Sequence, residues 1–230
     1  MSQIEHHPNQ ETILSYAAGS LPAALAIVVG CHLQYCPACR VSVNAGEALG
    51  ADLMMELSPQ TLSTRARESV LAQLDMDLRE VAEVSQSRVL EAAENASVNV
   101  GAPEAIPRLL HQFLQEDSFD ALPWKKTLAP GLKQIIINCD EGDVRLLRIA
   151  AGKKMPVHSH RGSEITMILR GGYSDSLGKF NAGDVADLDS ATEHQPVADS
   201  DEDCICLAGM DAPLAFRGWL ARLMQPIVGM

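Results

Sequence analysis

The sequence predicts an α+β protein in two parts, a helical bundle followed by a small all-β barrel. Three observations predict it. Apolar residues recur at helical spacing through the first 80 or so positions. From about Lys126 the pattern changes to short apolar runs between Gly, Asp and Ser turns, the signature of a sandwich or barrel. Between them, residues 85–106 carry Ser-Gln-Ser, Glu-Asn-Ala-Ser and Gly-Ala-Pro with little apolar pattern, as a linker does. The expected division is therefore 1–85 helical, 86–105 linker and 106–230 barrel. With 230 residues, 47% of them apolar, the chain is long enough for two domains and too apolar for wholesale disorder.

In the helical part, residues 9–18 and 20–45 carry Leu, Ala, Ile and Val at helical spacing, interrupted by Gly19-Ser20. No Phe or Trp precedes Phe113, so this half packs through small and aliphatic side chains, which suits closely spaced helices. Ser58 and Pro59 read as the cap and first position of a further helix, with Leu62, Ala66, Val70, Leu71 and Leu74 along one stripe. In the barrel part, 134–138 and 144–149 flank an Asp-Glu-Gly-Asp turn, and 164–169, 184–188, 195–198 and 204–208 continue as strands. The tail from Asp211, with Leu214, Phe216, Trp219, Leu220 and Leu223, reads as helix or irregular cover for the barrel.

Charge and cysteine usage exclude several classes. A net charge of −12 argues against a phosphate-binding surface, and DNA binding is not expected. Arg40 is the first Lys or Arg, so a secretory signal is not expected, and the apolar run 21–29 is about half of the roughly 20 residues that span a bilayer. Of the six cysteines, Cys31, Cys36 and Cys39 crowd around a histidine and Cys204 and Cys206 pair closely, as reduced thiols and metal ligands do, while Cys139 carries no such signal. A cytoplasmic protein without membrane attachment is expected.

Two constellations carry chemistry. His32, Cys36 and Cys39 fall at i, i+4 and i+7. On a helix these positions share a face, so an imidazole and two thiolates converge. Zn2+ favours tetrahedral nitrogen and sulfur donors, and a closed structural site needs a fourth. His6 and His7 are the other histidines of this half, and one of them completes the set. Pro37 starts a new turn directly after Cys36 and turns free N–H groups toward its thiolate. Ordinary buried cysteines would account for Cys-x2-Cys alone. The histidine four residues earlier and the upstream pair argue for metal. Cys31 points off this face and reads as a small core residue.

In the second constellation His158 and His160 point to one side of a strand, because side chains alternate. Glu164 follows across a short turn and adds an oxygen from the next strand. A further histidine must come from later in the sheet, and His194 is the one available. Three imidazoles and a carboxylate suit Zn, Fe, Mn, Ni or Cu. Cys204 and Cys206 share a face of a later strand, either as plain buried thiols or as a redox-responsive pair.

The His32-x3-Cys36-x2-Cys39 pattern and the Tyr16-Ala-Ala-Gly-Ser-Leu21 stretch resemble the zinc-binding anti-sigma factors. In their ChrR subfamily the aligned upstream ligand is the second histidine of the pair, which implies His7. Gly152-x5-His158-x-His160-x3-Glu164-x6-Gly171 resembles the first cupin motif. Gly183-x5-Asp189-x-Ala191-x2-His194 resembles the second, with Asp189 where the family usually has Pro and Ala191 where it has Gly. The resemblance covers roughly residues 105–215 and implies a double-stranded β-helix barrel with the metal inside. Nearly the full length resembles the ChrR anti-sigma factors. That implies a zinc-dependent bundle that binds an extracytoplasmic-function sigma factor of the sigma-E type, and a cupin, holding Zn2+ or another divalent transition metal, that responds to singlet oxygen or organic hydroperoxides. An enzyme is not expected. The competing expectation is a metal-dependent cupin dioxygenase with a helical appendage.

Overall fold

The structure is a computed structural model that describes residues 4–61, 63–74, 106–212 and 214–216. Three helices open it: α1 (Gln10–Ala17), α2 (Ala23–Leu33) and α3 (Pro37–Met55). Asn9 caps α1, its side-chain oxygen accepting from the Thr12 N–H at 2.7 Å. The single helix expected over 20–45 is in fact two. The residue before a proline disfavours the α conformation, so the chain turns at Cys36 and restarts at Pro37, which fits a first helical position. Arg40 Nη1 then reaches back 2.6 Å to the Leu33 carbonyl and closes the end of α2.

Twelve short strands follow among the described residues: β1 (Lys125–Lys126), β2 (Leu132–Ile137), β3 (Asp143–Ile149), β4 (His158–His160), β5 (Glu164–Arg170), β6 (Gly172–Asp175), β7 (Gly178–Asn181), β8 (Val185–Leu188), β9 (Glu193–His194), β10 (Val197–Ala198), β11 (Cys204–Met210) and β12 (Leu214–Phe216). They form an antiparallel six-stranded sheet in the order β1-β2-β3-β11-β5-β8 and two three-stranded sheets, β10-β6-β7 and β12-β4-β9. The hairpin β6–β7 was not expected, because Gly-Gly-Tyr-Ser-Asp reads as a turn. Leu214–Phe216 pairs with β4 where helix or irregular chain was expected. Trp219, Leu220 and Leu223 lie outside the described residues.

The central strands of the large sheet, β5 and β11, are buried on both faces. Val144, Leu146, Ile165, Met167, Leu169, Ile205 and Leu207 face outward into a core shared with Ala24, Leu25, Val28 and Val29 of α2. Ile149, Ile168, Cys204 and Cys206 face inward, with Tyr173 and Phe180 of the β6–β7 hairpin. A strand covered on both sides needs apolar residues at every position, which is why 204–210 is a nearly continuous apolar run instead of an alternation. Gly209 permits the close docking of α2: a Cβ there would overlap the Ala24 carbonyl and lie 2.9 Å from a Val28 methyl. The first N–H groups of α2 are met from the barrel side too, since the Ala24 N–H donates to the Glu141 carbonyl at 2.9 Å.

Packing divides the chain into two compact units, residues 1–48 with 100–230, and residues 49–99. The first helices thus share a core with the barrel, whereas the sequence pattern grouped them with everything up to residue 85. The linker expected at 86–105 lies outside the described residues. Within 49–99, the end of α3 is followed by a helix over 64–74. Its cap is Ser63, whose Oγ accepts from the Ala66 N–H at 3.1 Å; the expected cap, Ser58, lies in the loop before it. Among the described residues, no helix is long and apolar enough to cross a membrane.

Overpacking a tight backbone contact costs about 1–3 kcal/mol. Gly209→Ala should therefore lower the melting temperature of the chain. Gly50→Ala, in α3 with nothing within 4 Å of the added methyl, should be neutral or stabilising by up to about 1 kcal/mol, as thermal unfolding would show.

Candidate metal centres

His7, His32, Cys36 and Cys39 come together, each offering one donor atom within 4.8 Å of the others. The geometry differs from one helical face. His32 lies in the last turn of α2, Cys36 sits in the break, and Cys39 lies in the first turn of α3, so the Pro37 break itself folds the three donors onto one point. His32 Nε2 is 3.3 Å from Cys39 Sγ, and His7 Nδ1 is 3.4 Å from both sulfurs. A zinc tetrahedron with Zn–S of about 2.3 Å and Zn–N of about 2.1 Å has N–S edges near 3.6 Å. The donor set and spacing fit Zn2+. Three of the four residues are buried and His7 is exposed at the rim.

The electrostatics favour a cation. Burial pushes the Cys39 thiol up to about 12, with the neighbouring Cys36 adding to the effect, so two adjacent thiolates are costly without positive charge between them. A bound dication removes that cost and takes the thiolates as ligands. The Cys39 N–H donates to Cys36 Sγ at 3.4 Å, as the restart at Pro37 implied. Burial lowers His32 to about 4, leaving its imidazole neutral and available as a donor. Its Nδ1 is fixed by the Gly183 carbonyl at 3.1 Å, which directs Nε2 at the sulfurs. Cys31, fully buried and with its thiol pushed up to about 12 by burial, belongs to the core.

His6 goes elsewhere. Its ring stacks on Phe180 with centroids 4.4 Å apart, and its N–H donates to Asp184.

His158, His160, Glu164 and His194 form the second group, all buried, again with donor atoms within 4.8 Å of one another. β4 supplies the first two, β5 the glutamate, and β9, which pairs with β4 so that His194 stands opposite His158, supplies the last. His158 Nε2 and His194 Nε2 are 3.1 Å apart. His160 Nδ1 lies 3.2 Å from Glu164 Oε2, yet neither of its ring nitrogens makes a well-formed hydrogen bond among the described residues. Buried polar atoms are normally satisfied, so this imidazole suits a metal ligand. Burial opposes ionisation of Glu164, but contact with His160 and the fields of the three imidazoles outweigh it and hold the carboxyl below its ordinary value. Thr166 Oγ1 donates to Glu164 Oε1 at 2.9 Å.

Two residues that hold these donors were not legible in the sequence. Asp175, at the end of β6 with a fully buried side chain, accepts from His194 Nδ1 at 2.9 Å and so aims Nε2 inward. His158 Nδ1 is held in the same way by the Pro156 carbonyl at 2.8 Å. Carboxylate–histidine pairs of this kind have no fixed spacing, and nothing in Gly-Gly-Tyr-Ser-Asp announces one. A cavity of ≈ 40 Å³ inside the barrel is lined by His158, Glu164 and His194 together with Leu147, Met155, Tyr173 and Cys206. The Cys206 thiol is pushed well above its ordinary range by its neighbour Cys204 and by burial.

A small antiparallel barrel with three imidazoles and a carboxylate on its inner wall is the architecture of a cupin. Residues 117–212 match the family described as the ChrR cupin-like domain. Over 226 residues, 97% of each chain, the sequence is 39% identical to the anti-sigma-E factor ChrR of Cereibacter sphaeroides. The crystal structure of Rhodobacter sphaeroides SigE in complex with the anti-sigma ChrR superposes with a TM-score of 0.71 at 33% identity, covering 91% of this chain and 100% of that one. The chain belongs to the ChrR family.

Loss of an outer carboxylate typically lowers metal affinity about 10- to 100-fold. Asp175→Asn should therefore weaken metal binding at the barrel site by that order while leaving the thiolate site unchanged, as metal titration with a competing chelator would report.

Proposed function

We propose that this chain is an anti-sigma factor that sequesters an extracytoplasmic-function sigma factor of the sigma-E type and releases it under oxidative stress. The observation that carries the reading is the set of aliphatic side chains left exposed in the 49–99 unit. Leu49, Leu53, Met54 and Met55 at the end of α3, Leu57 after it, and Val70, Leu71 and Leu74 on the helix over 64–74 are all about half exposed or more. Exposed aliphatic groups at that density mark a protein-docking surface. In this reading Val70, Leu71 and Leu74 of the expected stripe serve a partner. Ten acidic against four basic residues in 1–85 suit a basic partner surface and speed encounter with it.

In this reading Zn2+ at His7, His32, Cys36 and Cys39 fixes the break between α2 and α3. Structural zinc binds and folds as one equilibrium. Chelation therefore releases the partner. The barrel holds Zn2+ or another divalent transition metal and serves as the sensing module for singlet oxygen or organic hydroperoxides, in the cytoplasm, where the sigma factor and its polymerase are. The His3Glu set is also one that oxygen-activating enzymes use. Against a dioxygenase stands the thiolate centre at His7, His32, Cys36 and Cys39, which has no role in such chemistry.

Leu53→Glu, at a position 58% exposed and so harmless to folding, should weaken sigma-factor binding about tenfold or more with zinc content unchanged. Cys39→Ala should abolish both in the same calorimetric experiment. Tight binding by either variant would count against the reading. His158→Ala combined with Glu164→Ala should leave sigma binding intact and blunt its release by oxidant in a transcription assay. An unchanged response would remove the barrel metal from the mechanism.

A further inference from the structure

The four donors of the thiolate centre all lie on the N-terminal segment, yet two of them are held from the barrel. The turn between β7 and β8, residues 182–184, does the holding. Gly183 has a φ of +99°, a conformation that favours glycine, and its carbonyl receives the Nδ1–H of His32 at 3.1 Å. The next residue, Asp184, is 1% exposed. Its Oδ1 accepts from the main-chain N–H groups of Glu5 at 2.7 Å and His6 at 3.0 Å, and its Oδ2 accepts from the Asn181 N–H at 2.8 Å. The Val185 N–H returns a bond to the His6 carbonyl at 3.1 Å. Together with the His6–Phe180 stack, these contacts seat residues 5 and 6 along β8, directly before His7.

A buried carboxylate without a cationic partner is expensive unless N–H groups satisfy it. Here three main-chain N–H groups do so, and two of them belong to the segment that carries the exposed ligand His7. The arrangement has no use for the barrel metal: neither Gly183 nor Asp184 is among the residues around His158, His160, Glu164 and His194. Nor does the packing of the helices require it, since α2 docks through Gly209 and its apolar face. What the turn fixes is the position of His7 and the ring orientation of His32.

We propose that Asp184, with the Gly183 carbonyl beside it, is the positioning residue of the N-terminal zinc centre, so that the barrel's β7–β8 turn sets how tightly that centre holds its ion. The proposal rests on the reading of His7, His32, Cys36 and Cys39 as a zinc site. Its effect is local. Losing the carboxylate frees the strap, and with it the fourth ligand, while the three donors around the Pro37 break stay together.

Cobalt(II) distinguishes the two centres in the full-length chain, because a thiolate-to-cobalt charge-transfer band can arise only where sulfur ligates. Titration of wild type, Asp184→Ala, Asp184→Asn and Glu5→Pro follows that band against a competing chelator. Asp184→Ala should lose about 10- to 100-fold in cobalt affinity at the thiolate site. Asp184→Asn, which keeps an acceptor for the Glu5 and His6 amides, should lose less. Glu5→Pro, which deletes one donor at an exposed position, should also weaken binding. Absorption from cobalt in the imidazole–carboxylate site should be unaffected in all three, a result that general destabilisation would not give. Should Asp184→Ala fail to fold, the other two variants decide. Wild-type affinity in the variants overturns the proposal and leaves the zinc reading standing, whereas the lack of a charge-transfer band in the wild type overturns both.

Discussion

The docking of α2 on the outer face of the six-stranded sheet is the contact on which the rest of the molecule depends. It removes Val28, Val29 and the sheet's outward residues from water together, and burial of this kind supplies about 25 cal/mol per Å² of apolar surface. It also fixes the C-terminal end of α2, and therefore His32, next to the β7–β8 turn. Gly209 and the Glu141 carbonyl are the local conditions for it: one removes a side chain where two backbones meet, the other satisfies a helix N-terminus at the sheet's end. The bundle and barrel that composition separates so clearly are joined through this helix into one core.

The two centres use opposite electrostatic solutions. At the thiolate centre the donors are hard to ionise when buried, so the ion itself is what makes them ligands. At the barrel centre the imidazoles already favour a charged Glu164, and outer groups on Asp175 and Pro156 aim the rings before any ion arrives. The first arrangement couples ion binding to the shape of a helical break. In the second, neighbouring strands and their hydrogen bonds bring the four donors together.

The sequence made the donors legible because their spacing follows local geometry: alternate residues on β4, and a break after a cysteine that Pro37 enforces. It made the barrel legible through its turns. It misled where both faces of an element are covered or neither is. Residues 20–45 look like one helix because apolar residues fill both sides of the break. The apolar stripe along the 64–74 helix was legible, but not that Val70, Leu71 and Leu74 stay exposed, because an apolar face reads alike whether or not this chain covers it. Asp175 and Asp184 were invisible for a different reason. Each acts on residues far away along the chain, and no periodicity or motif records a carboxylate that accepts from main-chain amides or from an imidazole across the fold.

The strap along β8 joins positions 178 and 179 residues apart. Pairings so distant carry a large loop-closure penalty and form late. On the ribosome, where residues emerge in order, the break at Pro37 gathers three donors while the turn that seats the fourth has yet to be made. On the proposal that Asp184 positions His7, ion capture at the front of the polypeptide would wait for its far half, and a truncated product would carry an unfinished clasp.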